Sequence, residues 1–168
     1  MLSLLSLFTA FVILTAYLIG ILANHGVLKS ISISDYWLKR PWKFMFELTM
    51  FICGISIIIN GFFLLERTIW LLVVGGGGVF MVGLFPKVQK NIIIKTLHYI
   101  FAISGFTFTG LSFWLSHEYW FITLAIAIAA LSAYIIPAKN KIWYIEVTLC
   151  YLLFIGLTIM ASIHLQCN

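Results

Sequence analysis

Six runs of apolar residues, joined by short polar segments, take up almost the whole of this chain: roughly 2–23, 44–65, 68–85, 92–115, 119–136 and 142–164. A hydrocarbon core about 30 Å thick is spanned by about 20 apolar residues in a helix. A backbone in lipid must also satisfy its own hydrogen bonds, which a helix does. The pattern predicts an all-α, polytopic integral membrane protein, a single domain of six transmembrane helices over residues 1–168. Only 9% of the residues are charged, against about 25% in a soluble domain. No stretch is left over for a soluble catalytic or nucleic-acid-binding domain. The formal charge of +5 is therefore read as loop lysine, not as affinity for nucleic acid.

The first residues, Met1-Leu2-Ser3-Leu4-Leu5-Ser6, lack a basic n-region, and no small-x-small site follows the first run. The first helix is expected to be retained rather than cleaved as a signal peptide. Cys53, Cys150 and Cys167 form no C-x-x-C, so they are read as unpaired small hydrophobes. The absence of an Asn-x-Ser/Thr sequon and the use of eight Lys to two Arg suggest a bacterial source.

The basic residues set an orientation. Lys29, Lys39, Arg40 and Lys43 lie in or beside loop one, Lys87, Lys90 and Lys95 around loop three, and Lys139 and Lys141 in loop five, leaving Arg67 alone for the other side. Short loops rich in Lys and Arg stay in the cytoplasm. Loops one, three and five are expected there, in a bacterial cytoplasmic (inner) membrane, with both termini outside. Tryptophan favours the headgroup level. Trp37, Trp42 and Trp143 fall at the predicted inner interface, and Trp70, Trp114 and Trp120 at the outer one.

Small residues mark where helices approach in lipid. Gly75–Gly78 with Gly83 make the third helix thin, and it is read as a central helix on which neighbours pack. Leucine at Gly77 is expected to force those neighbours apart. The Gly run is not a nucleotide loop, since no Gly-Lys-Ser/Thr follows it and Phe80 stands where the last glycine of Gly-x-Gly-x-x-Gly belongs. Ala125, Ala129 and Ala133 make a second small stripe, on the fifth helix. Glu47, Gly54 and Gly61 share a face of the second helix, and His98, Ala102, Gly105, Thr109 and Ser112 share a face of the fourth. Both faces are expected to point inward. Asn60, with Cys53 and Ser56, is expected to make an interhelical hydrogen bond.

Ionisable groups at membrane depth are costly and mark function by default. Glu47, His98 and Glu146 each lie about one turn into a helix from the loop-one side, and Asp35 lies in loop one near the same level. They are the candidate ligand-binding residues. With Ser34 they are also the only candidates for catalysis, a hydrolase needing a nucleophile, a base and an acid in one place. The competing reading is structural: Glu47 and Glu146 pairing with Lys43 and Lys141, and His98 bonding a backbone carbonyl. No His-x-x-x-His or His-Glu-x-x-His is present, so no metal site is expected, and no cofactor is named by the sequence.

The segments Ile33-Ser34-Asp35-Tyr36 and Gly83-Leu84-Phe85-Pro86, followed by His98 at the start of the fourth helix, resemble an uncharacterised bacterial family of six-helix membrane proteins. That family is similar in layout to the eukaryotic DRAM-like membrane proteins. The resemblance implies a six-helix bundle with a polar cluster on the loop-one side, and it implies no reaction.

Three functions stay open on these residues. The first is binding of a lipid, quinone or small amphiphile, or of a partner membrane subunit or second copy, without chemistry. The second is a membrane-embedded hydrolase or transferase acting on a lipid headgroup. The third is a small oligomeric proton-coupled transporter. What discriminates them is whether His98 and the three carboxylates converge on a cavity.

Overall fold

The computed structural model describes residues 1–25, 33–34, 42–64, 69–85, 91–116, 119–135 and 141–167. They form six helices: α1 (Leu2–His25), α2 (Trp42–Leu64), α3 (Ile69–Leu84), α4 (Ile92–Leu115), α5 (Trp120–Ile135) and α6 (Lys141–Cys167). Four of these, α1, α2, α4 and α6, are long and apolar enough to cross a membrane. The other two have 16 residues each, about 24 Å at 1.5 Å per residue, which is short of a full hydrocarbon core. Each of the two apolar runs extends past its helix at one described end. Phe85 and Tyr119 are apolar but stand outside α3 and α5.

Each helix packs on the next, and α6 returns to α1, so the six close a ring. α6 also reaches across to α2 and α4. Leu7, Leu14 and Tyr17 of α1 meet Phe46 and Ile57 of α2 and Leu157 of α6 in the core. Outside, large side chains such as Phe8, Phe62, Ile103, Ile128 and Ile155 stand exposed. An apolar surface this extensive does not suit a soluble monomer, and it agrees with helices built for lipid.

α3 is held between α2 and α4 by backbone-to-backbone approach. A Cβ on Gly76 would lie 2.6 Å from the Gly54 carbonyl oxygen of α2, and one on Gly54 would lie 2.6 Å from the Gly76 oxygen. On the opposite side, a Cβ on Gly75 would lie 2.9 Å from Thr109 N, and one on Gly78 2.8 Å from Gly105 N, both on α4. Gly77 is different, because a Cβ there would meet nothing within 4 Å. Along with the exposed Trp70, Val74 and Leu84, it marks an outward stripe at helical spacing. The expectation that leucine at Gly77 would split the helices is therefore wrong, and α3 is a wedge with one open face rather than a central rod. Four consecutive glycines point in four directions 100° apart, and only three of those directions meet a neighbour.

Of the alanine stripe on α5, Ala129 is half-buried. Ala125 is exposed, while Ile122 is buried against Gly156 of α6, where a Cβ would lie 2.7 Å from the Ile122 side chain. Large residues fill that contact and the small one belongs to the partner helix. Ala133 lies among the residues whose side chains are not described.

At the end opposite loops one, three and five, Asn60 ties α2 to α1. Its Nδ2 donates to Ser6 Oγ at 3.1 Å and to the Ser56 carbonyl at 2.8 Å, and its Oδ1 accepts from Ser3 Oγ. This is the interhelical bond expected of Asn60. With Asn60 fully buried, every polar atom of its amide needs such a partner.

The tryptophans divide. Trp70, Trp114 and Trp120 are about half exposed or more. Trp143 is not at the surface: it is 5% exposed, and its indole N–H is buried without a hydrogen-bond partner. Its place one turn before Glu146 on α6 turns it into the bundle.

Candidate functional site

The ring is not filled at the end where loops one, three and five lie. A half-open pocket is lined by residues of five helices and of the loop-one turn at Ile33 and Ser34. The helical periodicities explain the lining. α2 supplies Phe46, Met50, Cys53 and Ile57, α4 supplies His98, Ala102 and Phe106, and α6 supplies Glu146, Cys150, Leu153 and Phe154. Each set advances by three or four residues along one stripe of one helix, with Leu153 and Phe154 side by side at the far end of the α6 stripe. Leu14 of α1 and Val79 and Val82 of α3 complete the wall, and among the described residues α5 contributes none.

His98 is buried on this wall, 5% exposed. Its Nδ1 lies 2.7 Å from the carbonyl oxygen of Phe85, just beyond the end of α3. A carbonyl only accepts, so Nδ1 carries the proton and donates it. The bond satisfies one of the carbonyls that a helix end leaves without an intrahelical partner. It also fixes the ring: in the neutral imidazole the lone pair then belongs to Nε2. The structural role foreseen for His98 and its place on the pocket wall therefore coexist.

Glu146 faces inward from α6. Its Oε2 accepts the backbone N–H of Ile33 at 2.7 Å, and the carbonyl of the same residue accepts the hydroxyl of Tyr17 on α1 at 3.1 Å. Both polar groups of one peptide residue are thus held by side chains of two different helices. Ile33 and Ser34 are 4% and 3% exposed. A loop segment takes such a position only when its backbone groups find partners, and Glu146 and Tyr17 are those partners.

The structure thus brings His98, Glu146 and Ser34 to one pocket. It does not bring Glu47 there. Glu47 pairs with Lys43 one turn earlier at 4.0 Å, with 29% of its side chain exposed, and it is not among the described residues lining the pocket. The reason is register: Phe46, Met50 and Cys53 already define the inward stripe of α2, and Glu47 is turned 100° from it. Asp35 lies outside the described residues. Glu146 accepts from the Ile33 N–H, and the side chain of Lys141, its expected partner, lies outside the described residues. No family model, curated protein or solved structure matches this chain.

Four participants escaped sequence reading. Tyr17 and the carbonyl of Phe85 act through contacts between segments distant in sequence, and no local pattern marks them. Cys53 and Cys150, taken as packing residues, both line the pocket. The spacing of Glu146, Cys150, Leu153 and Phe154 was the available signal for Cys150. Among the described residues no three His, Cys, Asp or Glu side chains gather as metal ligands. The arrangement is also unlike a Ser-His-acid relay. There the acid orients the imidazole through Nδ1, whereas here a backbone carbonyl does so. What remains is a largely apolar chamber with the polar side chains of Ser34, His98 and Glu146 at one end.

Proposed function

We propose that this is a bacterial inner-membrane protein that binds one small membrane amphiphile in the pocket enclosed by α1, α2, α3, α4 and α6. The observation that carries this reading is the pocket itself: an apolar wall drawn from five helices, with His98 and Glu146 together at its loop-one end. Apolar pockets with few, well-placed polar groups are the usual form of such sites. An apolar tail lies along Met50, Ile57 and Phe106, and a polar head lies beside His98 and Glu146. Filling the chamber tests this. Ala102→Phe places a ring in the pocket, and the amphiphile that copurifies with the wild-type protein, measured by mass spectrometry of the extracted lipid, is expected to fall at least roughly tenfold in occupancy. Equal recovery from both proteins would sink the reading.

The same proposal places the pocket at the cytoplasmic side, because nine of the ten basic residues lie on the side of loops one, three and five. Cys167 would then be outside. A membrane-impermeant maleimide is expected to label it in intact cells, and labelling that requires broken membranes would reverse the orientation.

A further inference from the structure

Five helices wall the pocket, and the seams between them are not equally tight. Backbones meet where Gly54 of α2 faces Gly76 of α3, and where Gly78 of α3 faces Gly105 of α4. α1 is tied to α2 by Ser3 and Asn60. It is tied to α6 by the Tyr151 hydroxyl, which donates to Thr15 Oγ1 at 3.1 Å, and by Phe11, edge-on to the Tyr151 ring at 5.4 Å. The fifth seam joins α4 to α6, and these two share less contact than any other neighbouring pair of the wall. α5 packs against both of them, yet no described residue of α5 lines the pocket. It stands outside the wall, along the loosest seam.

The hold on α5 is concentrated near its outer end. Ile122 is 6% exposed. A Cβ on Gly156 of α6 would lie 2.7 Å from the Ile122 side chain and 3.2 Å from Phe113 of α4, so the three helices meet at one point. Thr123 adds a hydrogen bond, its hydroxyl donating to the Gly110 carbonyl of α4 at 3.0 Å. Ile126, one turn on, is half-buried against the core. Beyond it the burial runs out. Leu131 and Ile135 are 62% and 76% exposed, and of the described side chains from 127 to 135 only Ala129 is half-buried, with a single methyl to offer. The pocket residues of α4 and α6 all lie on the loop-one side of Phe113 and Gly156, the side on which α5 is least held.

Helices in lipid are held together by packing rather than by hydrophobicity, and a segment with few buried contacts opens locally at small cost. Closed sites are commonly entered past a segment that moves about a fixed end. We infer that α5 is a lateral gate: pivoting on Ile122 and Thr123, its loop-one half swings off the α4–α6 seam and admits the amphiphile from the bilayer into the pocket. This assignment rests on the reading of the pocket as a ligand site.

Cys150 reports passage, because it lines the pocket from α6. In phosphatidylcholine nanodiscs both faces of the bilayer are open to reagent. A maleimide on an octadecyl chain arrives there from the lipid, and a sulfonated maleimide arrives from water. The full-length chain carries Cys167→Ser, and mass spectrometry of the Cys150 peptide gives the labelling rate. The octadecyl reagent is expected to label Cys150 the faster. Ile122→Ala removes the pivot's side chain and is expected to raise that rate at least roughly tenfold. Thr123→Val is milder, removes the bond to Gly110, and is expected to raise it roughly threefold. Tyr151→Phe unties the α6–α1 seam instead and is expected to leave the rate unchanged. Faster labelling by the sulfonated reagent overturns the gate, and so does an equal rise in Tyr151→Phe. So does an unchanged rate in Ile122→Ala or, where that variant does not fold, in Thr123→Val. Ala102→Phe keeps this failure distinct from failure of the pocket. If it slows the octadecyl reagent while the α5 variants do not change the rate, the pocket stands and the gate falls. If it leaves both the labelling rate and the copurified amphiphile at wild-type levels, the pocket reading falls and the gate falls with it.

Discussion

Gly76→Ala is expected to destabilise the protein by about 3 kcal/mol, the upper part of the range for overpacking a tight contact, while Gly77→Ala, one residue along the same helix, costs nothing. At position 76 the added methyl would sit 2.6 Å from the Gly54 carbonyl oxygen and 3.0 Å from Ile58 N. These are backbone atoms of α2 and cannot rotate away, so α3 must shift bodily. That shift is opposed by the other side of the wedge, where Gly75 and Gly78 rest on the backbone of α4. At position 77 the methyl meets nothing within 4 Å. There the only effect is on helix propensity, where alanine is favoured by up to about 1 kcal/mol in water. Thermal unfolding of the two variants in one detergent measures the contrast. A lower midpoint for Gly76→Ala with an unchanged or raised midpoint for Gly77→Ala is the expected result. Equal midpoints would mean that α2 and α3 do not approach as closely as the structure has them.

That pair also shows where sequence reading stopped. Four glycines in a row announce close packing, because lipid gives helices no other strong reason to keep small residues. They do not say which of the four faces which neighbour. That depends on the rotation of α3 about its own axis, which is set jointly by α2 and α4. The inward face of α4 was legible, since His98, Gly105, Thr109 and Ser112 repeat by three and four, and all are buried. So was the bond expected of Asn60, because a buried amide has no inexpensive alternative. Glu47 misled for a physical reason. Depth along a helix can be counted from the sequence, but depth alone does not separate a side chain that turns into the bundle from one that pairs with Lys43 on its flank. Glu146 and His98 have the same depth and the opposite outcome. What decided them were acceptors and donors far away in the chain, Ile33 and Phe85.

Glu146 therefore carries the second large expectation. Glu146→Leu removes the acceptor of the Ile33 N–H, and Ile33 is 4% exposed. A buried donor left unsatisfied costs about 1–3 kcal/mol, so the Ile33–Ser34 turn loses most of what holds its amide in place. Tyr17 still grips the carbonyl of the same residue, but that bond is between neutral groups and is the weaker of the two. Hydrogen exchange at the Ile33 amide reads the effect directly, because exchange reports local opening. The rate in Glu146→Leu is expected to rise at least roughly tenfold over wild type, since about 1.4 kcal/mol corresponds to a factor of ten. Glu146→Gln retains a carbonyl oxygen at the same reach and is expected to restore most of the protection. Tyr17→Phe should fall between the two. Exchange at Ile33 that is insensitive to Glu146→Leu would mean that the turn is held by packing alone. An increase of equal size in the Gln and Leu variants would trace the effect to the lost charge rather than to the lost acceptor. Because the same carboxylate lines the pocket, the exchange rate and the loss of the copurifying amphiphile should change together in Glu146→Leu and separate in Tyr17→Phe, which loosens the turn without removing a group that lines the pocket.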